Sequence, residues 1–274
     1  MTERIACIGG GNMGRAILGG LMRRGYPPTA ITVSEPLACV RAALVGDFGV
    51  QVTADNAAAA ESADVVLLAV KPQQMKTVVI DLASSLAGRK PLVLSIAAGI
   101  TTGALQRWIG TELPLVRAMP NTPALIGRGV TGLYAIPGTA APARSLAESL
   151  LGAIGTVEWV TEEAQLDAVT ALSGSGPAYF FLFLECLESA GVALGLPAAT
   201  ARRLAIETAA GSAELARSSK LGPAELRVQV TSKGGTTEHA LQVFDAGGFK
   251  GLVADALDAA AHRARALSRE FGEA

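Results

Sequence analysis

Gly9, Gly11 and Gly14 follow a short apolar run and lead into NMGRAILGGLMRRG, so that G-x-G-x-x-G stands at a strand-to-helix junction. A tight turn, a close approach of backbone to a pyrophosphate and close packing of helix on strand each call for a residue without a side chain. The N–H groups at the start of the following helix can then bind phosphate. The next strand ends in VSEP, which puts Glu35 about 20 residues beyond the glycines, where the adenosine ribose of a dinucleotide belongs. An acid there favours a free 2′-hydroxyl and hence NADH. Ser34 and Arg41 could instead accommodate the 2′-phosphate of NADPH, and this stretch leaves the choice between the two open.

The remaining inventory is sparse. His239 and His262 are the only histidines, and with Cys7, Cys39 and Cys186 they form no metal-ligand spacing, so no metal site is expected. No nucleophile elbow occurs, and Walker A is absent because Lys233 precedes its glycines. Interconverting an alcohol and a ketone normally calls for a proton-transfer group such as His or Lys. An imine nitrogen can already carry its proton, so hydride transfer to the adjoining carbon needs mainly positioning and a polar contact. The inventory permits that chemistry without selecting it.

Four further stretches have the composition of site loops. AVKPQQM at 69–75 and RAMPNTP at 117–123 each follow a strand end, where open α/β sheets bind ligands. ALSGSGPAYFF at 171–181 sets Ser173, Ser175 and Gly176 before Pro177, a good first helical residue. TSKGGTTEH at 231–239 reads as an anion-binding loop opening a helix, or more plainly as a helix cap.

These residues must be positioned by regular elements. Short β-branched or apolar runs at 4–9, 31–35, 64–70, 91–97, 114–118, 130–136 and 156–160, with a weaker one at 50–53, alternate with helical stretches. DVVLLAV is apolar throughout, which predicts a strand covered on both faces and hence a mostly parallel sheet. Beyond about 162 the strand signals stop. Alanine-rich amphipathic stretches follow at about 162–172, 177–195, 197–218, 222–230, 236–246 and 248–271. The expectation is an α/β Rossmann-like dinucleotide-binding domain at 1–161, followed by an all-α domain at 162–274. Pro142 and PNTPALIGRG are expected in loops of the first domain. AYFFLFLECLESAGVAL is apolar almost all round, so a small helical domain would need a second copy to cover it, and an intertwined homodimer is expected.

A net charge of −1 with scattered Lys and Arg gives no electrostatic footprint for nucleic acid. The odd cysteine count without CxxC spacing fits a reducing compartment. No apolar run reaches the roughly 18 residues of a membrane span. MTERIACIGGG does not read as a signal peptide, so a cytoplasmic protein without membrane partners is expected.

Taken together, IGGGNMGRAILGGL, AVKPQQM, VRAMPNTPAL, ALSGSGPAYFF and TSKGGTTEHAL resemble the Δ1-pyrroline-5-carboxylate reductases, in that family's order and over nearly the whole chain. The first motif is shared with many dinucleotide enzymes; the other four together are specific. The resemblance implies reduction of the cyclic imino acid L-1-pyrroline-5-carboxylate to L-proline with NADPH or NADH, by a homodimer or a higher homo-oligomer. It implies that Gly9, Gly11, Asn12, Met13 and Gly14 hold the pyrophosphate, with Ser34 and Glu35 at the ribose. Asn56, Val70, Lys71 and Pro72 would line the cofactor, and Asn121 would lie near its nicotinamide end. Thr170 matches the family threonine near the ring nitrogen and is the catalytic candidate. Ser232, Gly234, Gly235, Thr236 and Thr237 match the loop that grips the carboxylate. The departure is Lys233, where the family usually has proline. Another imine reductase, a β-hydroxyacid dehydrogenase or a non-catalytic dinucleotide sensor are the competing readings. The hydroxyacid enzyme wants a lysine on the first long helix of the second domain, and PAYFFLFLECLESAGVALGL has none.

Overall fold

The computed structural model describes residues 2–273. Its centre is an eight-stranded sheet in the order β3-β2-β1-β4-β5-β6-β7-β8. The strands are β1 (Ile5–Ile8), β2 (Ile31–Ser34), β3 (Gln51–Thr53), β4 (Val65–Leu68), β5 (Leu92–Ser95), β6 (Leu115–Met119), β7 (Gly129–Ala135) and β8 (Gly155–Trp159). All neighbouring pairs are parallel except β6 with β7. The central strands β1, β4 and β5 are buried at every position, as apolar runs without alternation require. Residues 50–53, the weakest strand signal, supply the edge strand β3.

Two apolar layers cover the sheet. One packs Ile17, Leu18 and Leu21 of α1 (Asn12–Arg23) with Leu150 and Leu151 of α6 (Ala141–Leu151) against Ile5, Cys7 and Leu67. The other packs Met75, Val79, Leu82 and Leu86 of α4 (Pro72–Arg89), with Leu105 and Ile109 of α5 (Thr102–Ile109), against Ala6, Val66 and Val93. The remaining helices beside the sheet are α2 (Ala38–Phe48), α3 (Asn56–Ala60) and α7 (Gln165–Val169). Pro142, expected in a loop, lies in the first turn of α6, where the N–H that proline lacks has no helical acceptor to lose.

The helix expected over 162–172 is instead α7 followed by a π turn, Thr170–Gly174, closed by the Ser175 N–H donating to the Thr170 carbonyl at 2.8 Å. Five helices follow: α8 (Gly176–Ala193), α9 (Ala198–Ser218), α10 (Pro223–Gln229), α11 (Thr236–Ala246) and α12 (Phe249–Glu273).

The chain divides into two compact units, residues up to 175 with 259 onward, and 176–258. Residues 162–175, which the sequence grouped with the helices, thus fall in the unit of the sheet, as does the end of α12. Glu163 is paired with Arg117 of β6, Leu166 and Val169 pack on Gly132 of β7, and Leu267 and Phe271 of α12 close on Gly99. Within 176–258, α8 and α9 meet where Gly191 approaches Ala201, and Phe183, Phe244 and Phe249 form a ring cluster with centroids 5.4–6.5 Å apart. Phe180, Phe181, Leu194, Val228, Val243 and Leu252 stay exposed in the single chain.

Candidate active site

The parallel register brings Ile8, Ser34, Leu68 and Ser95 to one edge of the sheet, so the loops after β1, β2, β4 and β5 gather there. Gly9 has φ +105°, and a Cβ on it would lie 2.7 Å from the Ala69 carbonyl oxygen; one on Gly14 would lie 2.8 Å from the Gly9 carbonyl oxygen. These two glycines let the loop fold flat on its own sheet. Gly11 differs. It is the N-cap of α1, and a Cβ there would meet nothing within 4 Å. No side chain caps this helix and no acid stands in its first turn. The opening at Gly11, with Asn12 and Met13 beginning the helix, fits a pyrophosphate.

Glu35 follows the end of β2. Its Oε2 accepts the Gly10 N–H at 3.0 Å and its Oε1 accepts the Leu37 N–H at 3.0 Å, so the carboxylate is fixed between glycine loop and strand end. Arg41 donates to the carbonyls of Glu35 and Pro36 at 2.7 and 2.8 Å. Ser34 donates to Asn56 Oδ1 at 2.7 Å, joining β2 to the first residue of α3. Val70 packs beside Gly9, Lys71 is the exposed N-cap of α4, and Pro72 is its first residue. The dinucleotide candidates therefore converge on one edge. The Gly10 contact was not foreseen; Glu35 at the strand end was the signal for it.

Cys7 sits beneath the loop with no exposed surface, its thiol donating to the Gly9 carbonyl at 3.3 Å. Burial pushes its pKa up to about 12.

Asn121 and Thr170 lie on the same unit. Asn121, just beyond β6, is buried and engaged at both ends of its carboxamide. Thr170 is half-buried at the start of the π turn and donates its hydroxyl proton to the Leu166 carbonyl at 2.7 Å. That oxygen can still accept a hydrogen bond but has no second proton to give. Behind the turn lies a charged cluster that sequence reasoning missed. Arg117, 5% exposed, pairs with Glu163 at 3.0 Å, and Glu163 also accepts the Thr102 N–H and hydroxyl at 2.7 and 2.6 Å. Burial raises the Asp167 pKa, opposed by the positive charges of Arg117 and Arg265.

In the second unit the loop before α11 has Gly235 as N-cap and Gly234 at φ +72°. The Gly234 N–H donates to Glu238 Oε2 at 2.7 Å, and the Gly235 N–H to the Ser232 carbonyl at 3.0 Å. Ser232, Lys233, Thr236 and Thr237 are exposed. His239 Nδ1 lies 3.0 Å from the Gly235 carbonyl, a packing contact of the helix start.

The model of the pyrroline-5-carboxylate reductase dimerisation family matches residues 163–267, and that of the coenzyme F420-dependent NADP oxidoreductases matches residues 4–99. A pyrroline-5-carboxylate reductase of Pseudomonas aeruginosa is 49% identical, over 99% of this chain and 99% of its own length. The chain belongs to the pyrroline-5-carboxylate reductase family. The solved pyrroline-5-carboxylate reductase of Coxiella burnetii matches with a TM-score of 0.94 and 44% identity, covering 98% of this chain and 99% of that one. The pyrroline carboxylate reductase of Plasmodium falciparum, solved with NADP bound, matches at 0.86 with 27% identity, covering 97% and 98%. For a member of this family the exposed apolar side chains of α8–α12 are intelligible, since they lie largely within the segment matched by the dimerisation model. Among the described residues no helix is long and apolar enough to cross a membrane.

Proposed function

We propose that the protein reduces L-1-pyrroline-5-carboxylate to L-proline, the last step of proline biosynthesis, as a cytoplasmic homodimer or higher homo-oligomer. NADPH or NADH supplies the hydride. Gly9, Gly11, Asn12, Met13 and Gly14 hold the dinucleotide's pyrophosphate, and Ser34, Glu35, Asn56, Val70, Lys71 and Pro72 line the rest of it. Residues 1–161 serve as the dinucleotide half and 162–274 as the half for substrate and dimerisation.

The observation that carries this reading is the Thr170 hydroxyl. Its proton is given to Leu166, so towards a ligand it acts only as an acceptor. An iminium N–H⁺ needs such an acceptor, whereas a carbonyl oxygen being reduced needs a donor. Thr170 then orients the nitrogen and favours its protonated form. Ser232, Gly234, Gly235, Thr236 and Thr237 bind the substrate carboxylate. Charged hydrogen bonds of this kind are worth about 1.5–3 kcal/mol each, against about 0.3–1 kcal/mol for the end of an exposed helix. The hydrogen bonds dominate.

Loss of NADPH or NADH absorbance on adding pyrroline-5-carboxylate tests the activity, and its absence with both dinucleotides would reject it. Thr170→Ala is expected to lower kcat about 10- to 100-fold, as loss of one positioning contact does, with Thr170→Ser largely retaining it. Wild-type turnover in Thr170→Ala would remove this residue from the reaction.

Lys233 adds a positive charge beside a loop that binds an anion. Lys233→Pro is expected to leave kcat intact and raise the substrate KM roughly two- to fivefold at low salt, the difference fading as salt screens the exposed charge. An unchanged KM at low ionic strength would show that the lysine is neutral.

A further inference from the structure

The family resemblance implies that Asn121 lies near the nicotinamide end of the cofactor, and its hydrogen bonds give it a further task. Nδ2 donates to the Ser173 carbonyl at 3.0 Å and Oδ1 accepts the Val130 N–H at 2.9 Å, with the residue only 8% exposed. One carboxamide thus ties the connection between β6 and β7 to the π turn.

The sequence explains why that turn needs an outside donor. In a regular helix the Ser173 carbonyl would accept from the N–H of residue 177, and residue 177 is proline, which has none. Ser173 is half-buried, and a carbonyl shielded from water without a partner is costly. Two carbonyls one turn earlier each take a local hydroxyl: Thr170 donates to Leu166, and Ser173 donates to Val169 at 2.9 Å. The Ser173 carbonyl is served from the sheet side, by Asn121. The end of β6 contributes a second hold: a Cβ on Gly174 would stand 2.7 Å from Met119 Cε, so the turn lies directly on that strand.

We propose that Asn121 is a positioning residue, fixing the π turn on the sheet so that the Thr170 oxygen keeps one orientation. This rests on the reading of Thr170 given above. The geometry also says what its substitutions should do. Asn121→Asp keeps the acceptor for Val130 but, when ionised, turns a second oxygen towards the Ser173 carbonyl; when protonated it can donate again. Asn121→Ala loses both bonds at every pH. Charged groups on the surrounding elements are Arg117 of β6, Glu163 and Asp167 beside and within α7, Arg23 of α1 and Arg128 before β7; dividing by the wild-type rate at the same pH cancels their titration.

The test measures kcat and both KM values between pH 5.5 and 8.5 for wild type, Asn121→Asp and Asn121→Ala, and amide exchange of residues 170–176. Both variants are expected to lose about 10- to 100-fold in kcat near pH 8, the scale of a catalytic group displaced by about 1 Å, with dinucleotide KM unchanged. Relative kcat of Asn121→Asp should climb at least fivefold as pH falls, while that of Asn121→Ala stays flat. Exchange of the Ser175 amide should quicken in Asn121→Ala at all pH and in Asn121→Asp only at high pH. A defect confined to dinucleotide KM, or identical pH behaviour of the two variants, would overturn the proposal. Quickened exchange with normal turnover would instead keep the clamp and reject Thr170. Should neither variant fold, wild-type exchange decides: a Ser175 amide as fast as an exposed loop would overturn the clamp.

Discussion

Glu35→Ser is expected to shift the ratio of kcat/KM for NADPH over NADH upward by about 10- to 100-fold, the roughly 1.4–2.8 kcal/mol that a like-charge contact contributes at a partly exposed site. The carboxylate is not free to swing away from an incoming 2′-phosphate, because the Gly10 and Leu37 N–H groups hold its two oxygens. Arg41, the nearest cation in sequence, is taken up by the carbonyls of Glu35 and Pro36. Serine removes the charge and leaves a hydroxyl that a phosphate can accept from. It also frees the Gly10 N–H in the glycine loop. Kinetics with both dinucleotides, backed by direct titration of each in the absence of substrate, reads the change. An unaltered ratio in binding and in turnover would mean that the ribose lies elsewhere.

The second large effect concerns stability. Glu163→Ala is expected to destabilise the protein by about 3–5 kcal/mol, the range found when one partner of a buried ion pair is removed. The loss strands the Arg117 guanidinium at 5% exposure and leaves the Thr102 N–H and hydroxyl at the start of α5 without their acceptor. Asp167 limits the damage: it carries a second acid beside Arg117, and removing Glu163 removes a like charge that helps hold its pKa up. The lower end of the range is therefore expected. Glu163→Gln keeps an acceptor for Thr102 and should lose less. Urea unfolding at one fixed protein concentration measures both, since an oligomer's stability depends on concentration. A loss below about 1 kcal/mol would show that Asp167 replaces Glu163 fully.

The sheet was legible because central strands such as Val65–Leu68 are apolar without interruption, and even residues 50–53 gave a weak strand signal, which the structure sets at the edge. The glycine loop was legible because Gly9, Gly11 and Gly14 carry chemistry in their spacing. What stayed hidden depends on groups far apart in sequence. Nothing in the stretch at 162–172 singles out Glu163 until Arg117 and Thr102 are set beside it. Asn121 reads as a loop residue near a strand end, because nothing local reveals that Ser173 is its partner. The π turn was missed for a different reason: periodicity cannot register one extra residue in a turn that continues in the same direction.

The buried thiol of Cys7 offers a clock. A thiolate is what attacks disulfides and alkylating reagents, and a thiol pushed to about pKa 12 with no exposed surface offers neither charge nor access. Cys39, exposed on α2, reacts from the folded state. Cys7 must wait for β1 to part from β2 and β4, its neighbours on both sides. Its slow labelling in native buffer therefore counts how often the middle of the sheet opens, and Cys39 in the same molecule supplies the zero of time.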